Sequence, residues 1–149
     1  MIGNLPSSEI ENLLKTHQIG RLGITDGDRV YVFPVVYGYD GTFVYVHSRD
    51  GLKVQLMRAH AEVCFEIEEI ESPASWRTVV AHGVFEEMSD EGDERVAMVA
   101  IACQGATQIP MSIAPYLDGP DNVIFYRIRL TEKSGRFEHD PVFARNAVR

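Results

Sequence analysis

Two β-prone runs, Arg29 to Tyr39 and Thr42 to His47, are joined by the pair Asp40-Gly41. No other feature narrows the possible folds as much. An Asp-Gly pair between such runs is the strongest short-range hairpin signal, because glycine accepts the positive φ of a type I′ turn. Pro34, inside the first arm, has no N–H to give to a ladder. That arm must therefore run along a sheet edge or carry a bulge at this point, and edges and bulges are where a ligand can approach backbone atoms closely.

The remaining chain supplies partners for the hairpin. Ser8-Glu9-Ile10-Glu11 reads as a capping box, with the Ser8 hydroxyl at the helix start and Glu11 reaching back. It opens a short helix from about Ser8 to His17, with Ile10, Leu13 and Leu14 on one face. Arg21 to Ile24 is a strand closed by the turn Asp26-Gly27-Asp28. Gly51 to His60 is a short helix with Leu52, Leu56 and Met57 facing inward. Ala61 to Ile70 alternates, placing Val63, Phe65 and Ile67 on the buried face of a strand whose other face is wet. Trp76 to Met88 is a further strand, with Gly83 marking a bulge or bend.

Ser89 to Gln104 is the clearest helix. Asp90, Glu91, Asp93 and Glu94 complement the positive end of its dipole, and Val96, Val99, Ala100 and Cys103 form its apolar stripe. Gly105 to Asn122 is an irregular connection, long enough to be functional or interface-forming. Val123 to Thr131 is the last strand, and little pattern is visible from Ser134 onward. The expected class is mainly β (α+β), a small antiparallel barrel with flanking short helices. It forms a single domain over residues 1–149, with a core at about 19–131 and a tail at 132–149.

The chain carries 14 basic and 22 acidic residues, a formal charge of −8. A nucleic-acid partner needs a positive surface that displaces counterions, and no dense Lys/Arg stripe is present. A few locally placed cations still suffice for a small anion. Cys64 and Cys103 lie far apart in apolar segments and read as reduced, buried thiols. No histidine pair has the spacing of a metal site such as HExxH, so no metal is expected. The first residues lack a signal-peptide pattern, and the longest apolar run is far shorter than the ~20 residues that a membrane-spanning helix needs. The expectation is a soluble, cytoplasmic protein without a nucleic-acid or membrane partner.

The chemistry concentrates in His47-Ser48-Arg49-Asp50-Gly51-Leu52-Lys53. A strand end that passes through polar residues and a glycine into a helix start presents free backbone N–H groups at one place. Such places accept anions. Ser48 adds a hydroxyl, Lys53 a full charge, and Arg49 or Arg58 a possible second cation. A polar loop that merely caps a helix has equal standing on spacing alone.

Here a resemblance enters. The run Val35-Val36-Tyr37, Asp40-Gly41, Val44-Tyr45-Val46-His47-Ser48 and Gly51-Leu52-Lys53 resembles the FMN-binding core of the pyridoxamine 5′-phosphate oxidase-related flavoproteins. It is closest to the small branch with the Nim-type nitroimidazole-resistance proteins. Val63-Cys64-Phe65-Glu66-Ile67 and Ser75 to Gly83, with Trp76, continue the likeness, which covers about Ile19 to Met88 and more weakly reaches Arg129. It implies a split β-barrel that forms a homodimer, with FMN in clefts at the subunit interface. It further implies that His47, Ser48 and Lys53 contact the phosphate and ribityl chain. The Pro34-Val35-Val36 backbone and Tyr45-Val46 would line the flavin ring, Arg77 and Thr78 would make polar contacts to it, and Trp76 would stand near the cleft.

The tail from Gly135 to Pro141 does not match the Arg/His-rich substrate segment of the full oxidases, so pyridoxamine phosphate oxidation is not expected. Thr78 stands where the classical oxidases often carry a longer amide. His47 is a candidate proton donor, since imidazole titrates near working pH, although a simple phosphate or ring contact is the commoner role. Trp76 suits flavin stacking and dimer packing equally. The resulting expectation is an FMN-dependent oxidoreductase acting on a small organic molecule, with Nim-type nitro reduction as one version. The alternatives are a binding module that holds a flavin or haem-type cofactor without turnover, and an interaction protein whose cleft is vestigial.

Overall fold

Alternation turns Val63, Phe65 and Ile67 inward from one strand, and Val79, Ala81 and Phe85 inward from the next. Each of these segments has one apolar face to bury, and closing the sheet on itself buries them all. The computed structural model describes residues 1–104 and 123–141. In chain order these form β1 (Ile2–Asn4), α1 (Ser7–Thr16), β2 (Ile19–Thr25), β3 (Val30–Tyr39), β4 (Phe43–Arg49), α2 (Leu52–Ala59), β5 (Glu62–Ser72), β6 (Ser75–Met88), α3 (Glu91–Cys103) and β7 (Val123–His139).

The sheet order is β1-β7-β4-β3-β2-β5-β6, and a further β6–β7 pairing closes it into an antiparallel barrel. The expected mainly β barrel with short flanking helices is the fold observed. Leu22, Tyr37, Val44, Val46, Phe65, Ile67, Tyr126 and Ile128 fill the interior. Val54 and Met57 of α2 and Leu13 and Leu14 of α1 belong to the same core. A second apolar cluster lies where α3 packs on the outer face, joining Ala97 and Ile101 to Tyr45, Met88 and Phe125.

Several local expectations are corrected. Ser8 does not cap α1. The helix starts one residue earlier, at Ser7, with Pro6 as its N-cap and no side-chain cap hydrogen bond. The hairpin turn closes one residue later than a two-residue Asp-Gly turn. Asp40 N donates to Phe43 O at 3.3 Å, and Asp40 Oδ1 accepts from Thr42 N and Phe43 N at 2.9 and 2.8 Å. The positive φ, 104°, falls on Gly41. In α2 the buried residues are Val54 and Met57, while Leu52 is exposed. In α3 they are Ala97 and Ile101, while Val96, Val99 and Cys103 face out. Both helices have several apolar residues on adjacent faces, so periodicity alone left the rotation open.

The last strand is longer than expected, taking in residues 132–139 that the sequence assigns to a tail. β7 continues to His139, pairing with β6 along most of its length and with β1 at residues 136–138. Its polar run Thr131-Glu132-Lys133-Ser134 hid this. Gly83 does sit at an irregularity, the register shift between His82 and Gly83 against β7. A Cβ there would meet Ile128 Cγ2 at 2.6 Å and Arg129 O at 2.7 Å. The connection Gly105 to Asn122 lies outside the described residues.

Lys133 ties α1 to the hairpin. Its Nζ donates to Glu11 Oε1 and Tyr39 OH, both at 2.6 Å, and to Gly41 O at 3.2 Å. The Tyr39 hydroxyl donates to Glu11 Oε2 at 2.7 Å. Partial burial alone would raise the Glu11 pKa, but the hydrogen bonds from Lys133 and Tyr39 and the lysine charge outweigh it and hold the carboxyl below its ordinary 4.5. The stability Glu11 contributes is thus complete above that value and is lost as pH falls through the lower folded-state pKa. Lys133→Met is expected to flatten the fall of the melting temperature between about pH 5 and pH 3. An acid slope equal to that of the wild type in thermal melts would take Glu11 out of the acid response.

Candidate functional site

The barrel is weakly joined between β3 and β4. Only Tyr37, Gly38 and Tyr39 pair with Val46, Tyr45 and Val44. Before that seam, β3 stays with β2 through residues 30–36, whereas residues 47–49 of β4 stay with β7. The two strands therefore part beside His47 and Ser48. Pro34 lies on the length of β3 that is paired on one side only, the edge position its missing N–H demands.

Helix α2 follows β4 directly and buries Val54 and Met57 in the barrel core. Its first turn holds no acidic residue and Gly51, its N-cap, offers no side chain, so the backbone N–H groups there have no side-chain cap. Lys53 is half-buried, its Nζ 5.4 Å from the centre of the Phe33 ring. Burial holds its pKa below the usual lysine value, and it forms no ion pair among the described residues. Ser48 Oγ is buried without a hydrogen-bond partner among the described residues. The His47 ring lies 6.2 Å from that of Phe125. Burial first, and the neighbouring Lys53 charge second, lower its pKa below the ordinary imidazole value.

A half-buried cation, a buried hydroxyl and a helix start without a side-chain cap are together suited to an anion with several acceptor oxygens. The other cations considered for this place differ in standing. Arg58 is committed: its Nε and NH2 grip Glu87 at 2.9 and 2.5 Å, and NH1 reaches Asp50 at 3.4 Å. Arg49 is exposed at the end of β4.

The remaining expected site residues separate into two groups. Pro34 is exposed, and Val36 packs against the outer cluster near α3. Val35 and Val46 turn their side chains into the core, so their contribution to a ligand is backbone. Tyr45 donates its hydroxyl to Asp40 Oδ2 at 2.7 Å and packs in the outer cluster.

Trp76, Arg77 and Thr78 lie elsewhere. Met88, at one end of β6, pairs with Phe125, which in turn pairs with His47, whereas Trp76 at the other end pairs with Glu138. At ~3.3 Å per residue this is about 40 Å of strand. Trp76 Nε1 donates to Glu138 Oε2 at 2.9 Å, Arg77 is bound to Glu69, and Thr78 Oγ1 donates to Ile67 O at 3.2 Å. Trp76 and Arg77 border a groove of ≈ 430 Å³ together with Leu5, Glu71, Phe137 and His139. Phe33, Phe125 and Tyr126 adjoin the site near β4 but escape sequence reasoning. Phe125 and Tyr126 read as ordinary core residues until strand register brings them to β4 beside His47 and Ser48, and Phe33 enters through the Lys53 ammonium over its ring.

A sequence model described as pyridoxamine 5′-phosphate oxidase matches residues 6–137. An uncharacterised protein of Rhizobium meliloti (strain 1021) is 25% identical over 139 residues, covering 86% of this chain and 89% of that protein. Among solved structures, an FAD-binding protein of Mesorhizobium loti is 24% identical with a TM-score of 0.76, covering 94% of this chain and 98% of that one. A candidate 5-nitroimidazole antibiotic resistance protein of Bacteroides thetaiotaomicron is 20% identical with a TM-score of 0.73, covering 92% of this chain and 87% of that one. A haem-binding protein of Mycobacterium smegmatis is 15% identical with a TM-score of 0.69, covering 87% of this chain and 53% of that one. At these identities the structural likeness establishes the shared fold.

Proposed function

The chain belongs to the pyridoxamine 5′-phosphate oxidase family, and from that premise we propose that it is an FMN-dependent oxidoreductase acting on a small organic substrate. One observation carries the reading. Lys53 is a half-buried cation with no ion-pair partner among the described residues, set against Phe33 of β3 and within reach of His47 of β4, whose chain neighbour Ser48 has a buried hydroxyl. A terminal phosphate would supply the missing charge and acceptors.

When bound, FMN supplies two-electron transfer between donor and substrate. The protein's own work is to hold and shield the cofactor. Lys53, the Ser48 hydroxyl and the first N–H groups of α2 grip the phosphate, while the unpaired side of β3 at residues 34–36 offers backbone to the ring. His47, whose pKa burial and Lys53 lower, acts as a hydrogen-bonding group. An anion beside it would raise its pKa and prepare it to take up and deliver a proton near neutral pH. Nitro reduction of the Nim type is one version of the chemistry.

A homodimer is part of the proposal. Trp76, Arg77 and Thr78 lie far along β6 from His47 in one chain, so they join the same cleft only if a second copy brings them there. The exposed Val30 and Val32 on β3 and Leu52 on α2 offer apolar surface beside the opening for such a copy.

Mass spectrometry and visible spectroscopy of the purified protein test this directly. FMN is expected in equimolar amount, in a particle of twice the chain mass by light scattering. Reduction by NAD(P)H followed by reoxidation with a nitroaromatic is the expected sign of turnover, and bound flavin without it would mark a carrier. A colourless protein that takes up no FMN from solution would refute the flavin reading, and an FMN-loaded monomer would refute the dimer.

A further inference from the structure

Tyr126 lies behind the phosphate cradle, one strand away. It stands on β7 opposite Val46, while Ser48 stands opposite Ile124. Directly paired residues share a face and successive ones alternate, so Tyr126 and Ser48 are diagonal neighbours on the inner face of the sheet. His47 leaves β4 on the other face, with Phe125.

The Tyr126 side chain is fully buried, at 0% exposure, and its ring is held by Phe85 with centroids 5.4 Å apart. Its hydroxyl has no hydrogen-bond partner of ordinary geometry among the described residues, and neither has Ser48 Oγ. The two are nonetheless neighbours. Burial raises the Tyr126 pKa, and the Ser48 hydroxyl beside it moderates that rise. Buried polar groups nearly always find partners, because desolvating one without replacement is costly. Two such groups side by side need an acceptor that the described residues around them do not supply.

The geometry points to Tyr126 as a positioning residue for the phosphate of the bound ligand, its O–H donating to Ser48 Oγ so that the Ser48 O–H is turned to donate to a phosphate oxygen. This rests on the phosphate-binding reading of Ser48 and adds a residue that never touches the ligand. A hydroxyl already donated to is a stronger donor in its turn, so the pair acts as one unit.

Tyr126→Phe separates this role from packing, because it keeps the ring against Phe85 and deletes only the hydroxyl. The ligand-free variant is expected to melt at the wild-type temperature or above, since an unsatisfied buried group has been removed. Its Kd for FMN is expected to rise about three- to tenfold, the scale of one hydrogen bond, while its Kd for riboflavin, which lacks the phosphate, stays the same. In a Ser48→Ala background, Tyr126→Phe should change the FMN Kd no further. An unchanged FMN Kd in Tyr126→Phe, equal losses for FMN and riboflavin, or full additivity with Ser48→Ala would each overturn the positioning role and leave flavin binding standing. A wild-type protein that binds neither FMN nor orthophosphate would overturn both.

Discussion

Gly38→Ala is expected to lower the melting temperature by about 6–12 °C, from a loss of about 3 kcal/mol at roughly 2–4 °C per kcal/mol for a chain of this size. The cause is a close approach of backbone to backbone. A Cβ on Gly38 would lie 2.3 Å from the carbonyl carbon of Ala100 and 2.5 Å from Ala100 O and Ile101 N. These are main-chain atoms of α3, and no rotamer change moves them aside. The helix would have to lift from β3, taking with it the side chain of Gln104. That buried residue accepts from Tyr39 N at 3.0 Å and donates to Leu14 O and His17 O at 2.6 and 2.7 Å. Gly41→Ala is the control. It strains a positive φ but meets nothing within 4 Å, and should cost only about 1–2 kcal/mol. Thermal melts of both variants give the comparison, and a Gly38→Ala protein as stable as Gly41→Ala would show that α3 is not pressed on β3.

Lys53→Ala should weaken FMN binding about ten- to a hundredfold, the range of a charge-assisted contact worth about 1.5–3 kcal/mol. The ligand-free variant is expected to be at least as stable as the wild type, because the lysine is a half-buried charge without an ion-pair partner among the described residues. Binding and stability therefore move in opposite directions. A structural lysine would not do this, since its removal costs stability and leaves the ligand indifferent. Fluorescence titration with FMN and riboflavin, together with melts of the ligand-free protein, measures both. An unchanged FMN Kd removes Lys53 from the site.

The parts of the fold that sequence made legible were those with a local cause. The hairpin followed from Asp40-Gly41, β5 from the alternation of Val63, Phe65 and Ile67, the irregularity in β6 from Gly83, and the edge character of β3 from Pro34. The parts that stayed hidden depend on partners. The rotation of α3 is set by what lies beneath Ala97 and Ile101, and Val96 and Val99 are just as apolar. The extension of β7 through Lys133 and Gly135 is invisible in composition, because Lys133 meets Glu11 and the glycine fits against Leu5 and Ile10. The candidate site behaved in the same way. Ser48 and Lys53 are neighbours through the strand–helix link of their own segment. Tyr126 is brought to them by register, and Trp76 to Thr78 are kept away from them by the length of β6.

β7 also bears on how the chain is made. Among the described residues it is the last strand in chain order, and it pairs with β1, β4 and β6. Until it is made, the edges of β1, β4 and β6 that it covers stand open, and β6 is the longest of the described strands before it. The pairing of Ile2 with Glu138 spans nearly the whole sequence, so the barrel cannot be completed from the N-terminus onward. Closure is a late, long-range step of the kind that is intrinsically slow. In the interval the open edges are a hazard for chain–chain association. Truncations that trim β7 prolong that interval indefinitely. They should leave the protein in aggregates rather than as a shortened soluble barrel.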